Sequence, residues 1–215
     1  MRRGRSAPGR PRVCRVDPTI TLREATPSDL PPLEEIEAAG DALFVELFGP
    51  DPFGPEPREA GEDRATQPGV VIVAVETGTV DGGRSGERVV GFAHVLEAGA
   101  EDGEGRGAEG EAHLEQLAVL PSHARRGIGS RLVEACCAWA RRRGHRRITL
   151  RTYADVPWNA PFYERCGFRE VPPIDTPFHR RLVEAEQAVG LDRHGRRVVM
   201  ARGLDGDTGR QDDGV

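Results

Sequence analysis

The sequence predicts an α+β fold: a mixed, mostly antiparallel central sheet of about six to seven strands, flanked by helices, with an extra helix before the last strand. Three observations carry this expectation. Three strand-like runs, 19–24, 69–76 and 88–97, precede the order strand, helix, strand, helix, strand. The apolar run from Leu114 to Leu120 stops at Pro121, and the turn PSHARRGIGS then leads into an amphipathic pattern at Ile128, Leu132, Val133, Cys136, Trp139 and Ala140. Farther on, ITLRTYADVPWNAPFYERCGFREV reads as strand, loop, short helix and strand.

The chain has 215 residues, enough to bury one substantial core. We expect a single domain over 18–203, an arginine-rich disordered tail over 1–17 and a polar disordered tail over 204–215. The formal net charge is -5 and every basic residue of the Lys/Arg class is arginine, which argues against an obligate nucleic-acid partner. The four cysteines have no paired spacing, as expected for a reducing compartment and not for a zinc site, so no metal is expected. No apolar run approaches the ~20 residues of a membrane span. The expectation is a cytoplasmic protein with no membrane partner, and a homodimer is compatible with it.

Taken in order, the first strand spans 19–24 and ends in the turn Thr26-Pro27-Ser28-Asp29, where Ser28 or Asp29 caps a helix with Leu30, Leu33, Ile36 and Leu43 on its apolar face. Past Phe44 the helical pattern weakens among Pro50, Pro52, Pro55 and Pro57. Strands at 69–76 and 88–97 flank a glycine-rich turn at 81–86, and the acidic, glycine-rich stretch 99–110 reads as a mobile loop. The central strand begins at His113. In the helix after the PSHARRGIGS turn, Cys136 and Cys137 read as core residues and not as nucleophiles. A strand at 148–152 follows, then a short helix that Asn159 is suited to cap and that ends at Gly167. Pro172-Pro173 interrupts the chain before Asp175 or Thr176, either of which caps a helix through Val189 with Leu182, Ala185, Glu186 and Val189 on one face. This helix either roofs a pocket, covers a sheet edge or makes a dimer contact. The last strand is 196–200.

The junction at 120–130 is the informative one. A strand that turns directly into a helix aims several backbone N–H groups into one concavity, and the unsatisfied first turn of the helix adds partial positive charge, so a phosphate fits there. Gly127 and Gly129 let a ligand approach the backbone, and Arg125 and Arg126 add full charge. A dinucleotide fingerprint and a P-loop are both excluded, because only one Gly-x-Gly occurs here and the chain has no lysine.

The run LAVLPSHARRGIGSRLV resembles the acyl-CoA motif of the GNAT N-acetyltransferases, Gln/Arg-x-x-Gly-x-Gly/Ala, and FYERCGF at 162–168 resembles that family's second motif, a Tyr-x-x-x-Gly-Phe run on a short helix. The resemblance covers roughly residues 19–202, with specific motifs at 113–168. It implies a GNAT fold with acetyl-CoA as cosubstrate. It implies that Arg125, Arg126, Gly127, Ile128, Gly129 and Ser130 form the pyrophosphate loop, and that Leu117, Ala118 and Val119 make the pantetheine contacts. One departure is Ala124, which stands where the motif has Gln or Arg. A second is Val156, at the place of an asparagine that touches CoA in many members; Asn159 is the candidate to replace it.

For catalysis, the resemblance makes Tyr163 the acid that protonates the departing thiolate, while a tyrosine packed between Phe162 and Phe168 is the plain structural reading. With a thiol at ≈ 8.5 and a tyrosine at ≈ 10, that proton transfer is uphill by about 2 kcal/mol. Glu115 is the first candidate for the base, through water, and His113 the second, since strand alternation puts both on one face; the alternative is that Glu115 is a half-exposed strand residue with a cross-strand partner and neither is the base. The oxyanion would meet a backbone N–H near Val119. The stretch after Phe44 would line the acceptor site, where Phe48 and Phe53 beside Asp41, Glu46, Asp51 and Glu56 suit a cationic amine with an apolar body; the alternative is a solvated loop pinned by the two phenylalanines. The implied activity is acetyl transfer to a primary amine, of a small molecule or a peptide, directly within a ternary complex. The alternative is a non-catalytic acyl-CoA-binding sensor or interaction module, which Ala124 favours and Tyr163 opposes.

Overall fold

The computed structural model describes residues 19–50, 52–54, 58–80, 84–98 and 111–204. The tail expected over 1–17, the loop expected over 99–110 and nearly all of the tail expected after 203 lie outside these. Seven strands form one sheet: β1 (Ile20–Glu24), β2 (Gly69–Val80), β3 (Arg84–Glu97), β4 (Glu111–Val119), β5 (Arg147–Tyr153), β6 (Arg169–Val171) and β7 (Arg197–Gly203). Their order is β1-β2-β3-β4-β5-β7-β6. Every neighbouring pair is antiparallel except β4 with β5, which is parallel. The helices are α1 (Leu33–Phe48), α2 (Gly61–Thr66), α3 (Ile128–Arg142), α4 (Ala160–Arg165) and α5 (Pro177–Ala188). The mixed sheet and the extra helix before the last strand are as the sequence predicts.

Both faces of the sheet are covered, and the alternation along β2 shows how. Ile72 and Ala74 point into the core that α3 closes with Ile128, Leu132, Val133, Cys136 and Ala140. Val71, Val73 and Val75 point to the opposite face, where Leu33 and Ile36 of α1 cover them. Burial drives the thiols of Cys136 and Cys137 upward, the latter to about 11, so both are core residues as expected. No helix among the described residues is long and apolar enough to cross a membrane.

Three differences from the sequence reading bear on the site. Pro31 and Pro32 delay α1 to Leu33; the cap at Thr26 serves a separate 3-10 turn at Pro27–Asp29. Beyond Ile36 the helix leaves the core, so Leu43 is 45% exposed, and the inward positions shift to Glu37, Asp41, Phe44 and Phe48. Second, α2 has no counterpart in the sequence reading, because GEDRAT offers no apolar period. Third, α5 turns His179, Leu182, Val183 and Glu186 inward, while Ala185 and Val189 are exposed; its cap is Thr176, whose hydroxyl accepts from the His179 N–H at 3.3 Å. The packed domain also includes Leu204, which is buried and donates its N–H to the Arg146 carbonyl at 2.7 Å.

The start of α2 is fixed by close backbone packing. A Cβ at Gly61 would lie 2.9 Å from the Leu30 carbonyl carbon and closer still to its oxygen. Neither backbone can yield cheaply. Gly61→Ala is expected to destabilise the fold by about 1–3 kcal/mol, read in urea unfolding as a lower midpoint at unchanged slope.

Candidate active site

The site begins where the one parallel pair ends. β4 and β5 pair only from Glu111 with Arg147 to Leu114 with Leu150. At that point β4 gains a residue: its pairing with β3 passes from Leu114 with Val95 to Gln116 with His94, and Glu115 is bulged out. From there β4 follows β3 to Val119 and parts from β5, which goes on to Tyr153. The result is a V-shaped opening with two unzipped strand edges, into which an extended amide-bearing chain can insert as an added strand. Of the three expected contact residues, Leu117 and Val119 pack toward the α3 core and Ala118 toward α1. The Leu117 N–H donates to the Gln116 side chain at 2.8 Å.

The anion cradle lies beyond the open end of β4. A 3-10 turn at Pro121–His123 leads to Arg125, at φ 60, and Gly127, at φ 80, which is the N-cap of α3. Holding a non-glycine residue left-handed costs about 1–2 kcal/mol, and it turns consecutive N–H groups the same way. The first intrahelical bond is from the Arg131 N–H to the Gly127 carbonyl, so the N–H groups of Ile128, Gly129 and Ser130 precede it and are unsatisfied within the helix. Arg125 is exposed, with no ion-pair partner among the described residues. Arg126, expected to bind the anion, also donates to Glu76 at 3.2 Å, and His123 lies 3.1 Å from the same carboxylate. Ala124 is exposed; the backbone cradle does not depend on its side chain.

α4 packs against this helix start. A Cβ on Gly129 would meet the Phe162 ring at 3.4 Å, and Cys166 Sγ lies 3.8 Å from Ser130 Oγ. This contact brings Tyr163 beside the cradle on the α3 face. Its ring is half-buried between Phe162 and Phe168, with centroids at 5.0 and 5.9 Å, and its hydroxyl has no hydrogen bond among the described residues. Burial holds the phenol well above its ordinary range, hence protonated. Packing and an available proton coexist here. Asn159 occupies the N-cap of α4 without a side-chain capping bond, contrary to expectation; the Phe162 and Tyr163 N–H groups donate to its backbone carbonyl instead.

Glu115 faces the other side of the sheet. Its side chain is 32% exposed and accepts from Arg64 Nη1 at 2.8 Å, with His94 Nδ1 at 3.3 Å. Arg64 is 3% exposed and also bonds Glu37 at 2.7 Å and approaches Glu59 at 3.3 Å. Gln116 ties Glu37 to β4 at 2.5 Å. Sequence reasoning missed this cluster because Glu37, Glu59 and Arg64 lie on three separate elements of ordinary polar pattern. Burial pushes the Glu115 carboxyl up, but His94 and Arg64 outweigh it and hold it below the usual range. In Glu37 and Glu59 burial prevails over Arg64, and both are raised. Glu59, His94 and Glu115 present ligand atoms within 4.8 Å of one another. The guanidinium of Arg64 already supplies the positive charge that a metal ion would bring.

His113, the second candidate for the base, shares this face but is sealed. Its Nδ1 lies 3.0 Å from Thr149 Oγ1, and the Phe178 and His179 rings of α5 cover it at 5.4 and 6.0 Å. His179 in turn reaches the buried Glu111 at 2.9 Å, and Arg147 pairs with that carboxylate. Burial lowers the His113 ring to about 4, helped by the neighbouring His179. It is therefore neutral at pH 7 and out of reach of an acceptor. α5 covers β5 and β7 through Glu186, bound to Arg151 at 2.8 Å and to Arg197 at 2.5 Å, and so forms one wall of the opening. Of the acidic residues expected at the acceptor side, Asp41 is inward and bound to Arg58 at 2.6 Å, Glu46 is exposed, and Asp51 and Glu56 lie outside the described residues.

The comparisons bear on this arrangement of a seven-stranded sheet that opens beside a helix start with unsatisfied N–H groups. Residues 41–168 match the acetyltransferase (GNAT) family. Among solved structures, a GNAT-family acetyltransferase from Staphylococcus aureus Mu50 is similar at 15% identity and TM-score 0.59, over 86% of this chain and 99% of that one. The paiA N-acetyltransferase of Thermoplasma acidophilum, in complex with coenzyme A, is similar at 15% identity and TM-score 0.56, over 86% and 98%. N-acetylglutamate synthase from Neisseria gonorrhoeae, complexed with coenzyme A and N-acetyl-glutamate, is similar at 21% identity and TM-score 0.55, over 89% of this chain and 36% of that one. The chain belongs to the GNAT acetyltransferase family.

The depressed pKa of His113 gives a stability signature. Between pH 6.5 and about 4 the unfolded chain binds a proton there that the native state refuses, so native stability falls as pH drops through that window. Replacing the imidazole by an amide, His113→Gln, is expected to remove about 2–3 kcal/mol of that loss, measured as the change in unfolding free energy between pH 7 and pH 4 relative to the unmodified protein.

Proposed function

We propose that the protein is an acetyl-CoA-dependent N-acetyltransferase that moves the acetyl group directly to a primary amine within a ternary complex. The observation that carries this reading is the opening between β4 and β5, which has the anion cradle at its end, Tyr163 on the α3 face and Glu115 on the α1 face. A thioester laid along the open edge of β4 is reached by an amine from one face and by a proton donor from the other. Backbone amides at 127–130 take the pyrophosphate, with Arg125 adding charge.

The steps balance as follows. The amine nitrogen bonds to the thioester carbonyl carbon, a β4 N–H near Val119 meets the oxygen as charge builds, and the C–S bond breaks. The proton lost by the nitrogen passes to Glu115 through water, and the Tyr163 hydroxyl gives its proton to the leaving sulfur. Water restores both groups, so an amine and a thioester become an amide and a thiol. Glu115, held low by His94 and Arg64, is a weak base, so it receives the proton only as the nitrogen turns acidic on bonding to the carbonyl carbon. The burial that raises Tyr163 also raises a thiolate leaving beside it, so the uphill step does not widen by the whole shift. The three described cysteines are unpaired and buried, which supports a cytoplasmic setting.

Acetyl-CoA at a hundred times its dissociation constant is expected to stabilise the fold by about 2.7 kcal/mol, a rise of about 5–10 °C in Tm for a domain of this size; NAD and ATP should give no comparable rise. Tyr163→Phe is expected to lower kcat by about a hundredfold or more while the affinity for acetyl-CoA, from calorimetry, stays within about twofold. A non-catalytic binding module would show the thermal shift and no turnover to lose.

A further inference from the structure

The face of the opening that an amine would enter has a charge and a shape of its own. Three carboxylates, Glu37, Glu59 and Glu115, surround the single guanidinium of Arg64, and Glu59 and Glu115 are the two that reach solvent. Fully ionised, the cluster has more negative than positive charge. His94 is buried against it, with Nδ1 toward Glu115 and no hydrogen-bond partner for Nε2 among the described residues. Both arginines at this end are engaged, Arg64 with these acids and Arg58 with Asp41. A cation is favoured here and a carboxylate is repelled.

Beyond it lies an aromatic cluster, with the Arg58 guanidinium over the Phe53 ring at 5.4 Å. Glu37, Asp41, Phe44 and Phe48 follow one another at helical spacing along α1, so the acidic end continues into the aromatic end about 10 Å away, seven residues of helical rise. Phe44 meets Phe53 at 5.1 Å and Trp158 at 5.8 Å. Past them Phe48 stacks on His194 at 4.8 Å, and the Tyr153 hydroxyl donates to the Leu191 carbonyl at 2.9 Å.

We propose that the acceptor is a small cationic primary amine with an aromatic body and no carboxylate, its ammonium entering beside Glu59 and Glu115 and its ring resting on Phe44, Phe53 and Trp158. This assignment rests on the transferase reading above. Such an amine is protonated at neutral pH; it gives that first proton to bulk water before it attacks, and the second passes from the nitrogen through water to Glu115 as the C–N bond forms.

The test measures kcat/KM, by thiol release from acetyl-CoA, for 2-phenylethylamine, hexylamine, L-phenylalanine and a short peptide containing one lysine. Acetyl-CoA binding is measured by calorimetry on the same protein. 2-Phenylethylamine is expected to exceed phenylalanine by about a hundredfold, since the two differ by the carboxylate that would face like charge. Glu59→Gln should raise the KM for 2-phenylethylamine by about tenfold, the equivalent of one lost charge contact, at unchanged acetyl-CoA affinity. Trp158→Ala, at a partly exposed position, should cost 2-phenylethylamine about fivefold and hexylamine less. Equal or faster turnover of phenylalanine or the peptide, an unchanged KM in Glu59→Gln, or acetyl-CoA binding with no turnover of any of these amines would overturn the acceptor class and leave the cofactor reading in place. Failure to bind acetyl-CoA would overturn both.

Discussion

The constraint on which the site depends is the parting of β4 from β5 after Leu114 and Leu150. A parallel pair that continued would satisfy both strand edges internally and leave no opening. The bulge at Glu115 prevents this, because the extra residue twists β4 toward β3 and off the line of β5. The same bulge lets Glu115 and the next residue, Gln116, both reach the α1 side, where one meets Arg64 and the other Glu37. A single irregularity thus opens the sheet and loads one rim of the opening with acid.

The elements around the opening act as props. α2 is one and a half turns long and would be marginal alone, yet it is fixed at Gly61 by the Leu30 backbone and at Arg64 by three carboxylates. Removing one partner from such a buried cluster costs about 3–5 kcal/mol, because the remaining charge is stranded. α5 is anchored by His179 on Glu111 and by Glu186 on two arginines, which fixes the opposite wall. On the α3 face the contact of Phe162 with Gly129 sets Tyr163 against the cradle. Tyr163 and Glu115 are thereby kept on opposite faces of the sheet.

What the sequence disclosed and what it hid follow from range. The turn into α3 was legible because its signal is local: Pro121, Gly127, Gly129 and the α3 apolar stripe follow one another along the chain, and each has a short-range cause. The succession of strands and helices along the chain was legible for the same reason; the pairing order of the sheet is not a local signal. The acid cluster was not, because Glu37, Arg64 and Glu115 are brought together by α1 and α2 crossing the sheet, and no periodicity encodes that crossing. His113 was placed on the right face by alternation, but its burial depends on α5, whose inward face was misjudged in register: the positions at 182 and 186 were right, those at 185 and 189 were not, and His179 carries the contact. Leu43 misled for a related reason. Apolar spacing continues along α1 after the core beneath it has ended.

The described ion pairs that frame the cleft all draw their permanent positive charge from arginine, in a chain with no lysine. A guanidinium does not deprotonate in a protein and keeps its lone pairs delocalised, so it is not a nucleophile toward a thioester. Lysine in those places would pair with the same carboxylates yet offer an amine to any activated acyl group held nearby. A wall built from arginine is electrostatically similar and chemically inert: on the proposed reading, the scaffold has no side-chain ε-amine of its own to compete with the acceptor for an acyl group.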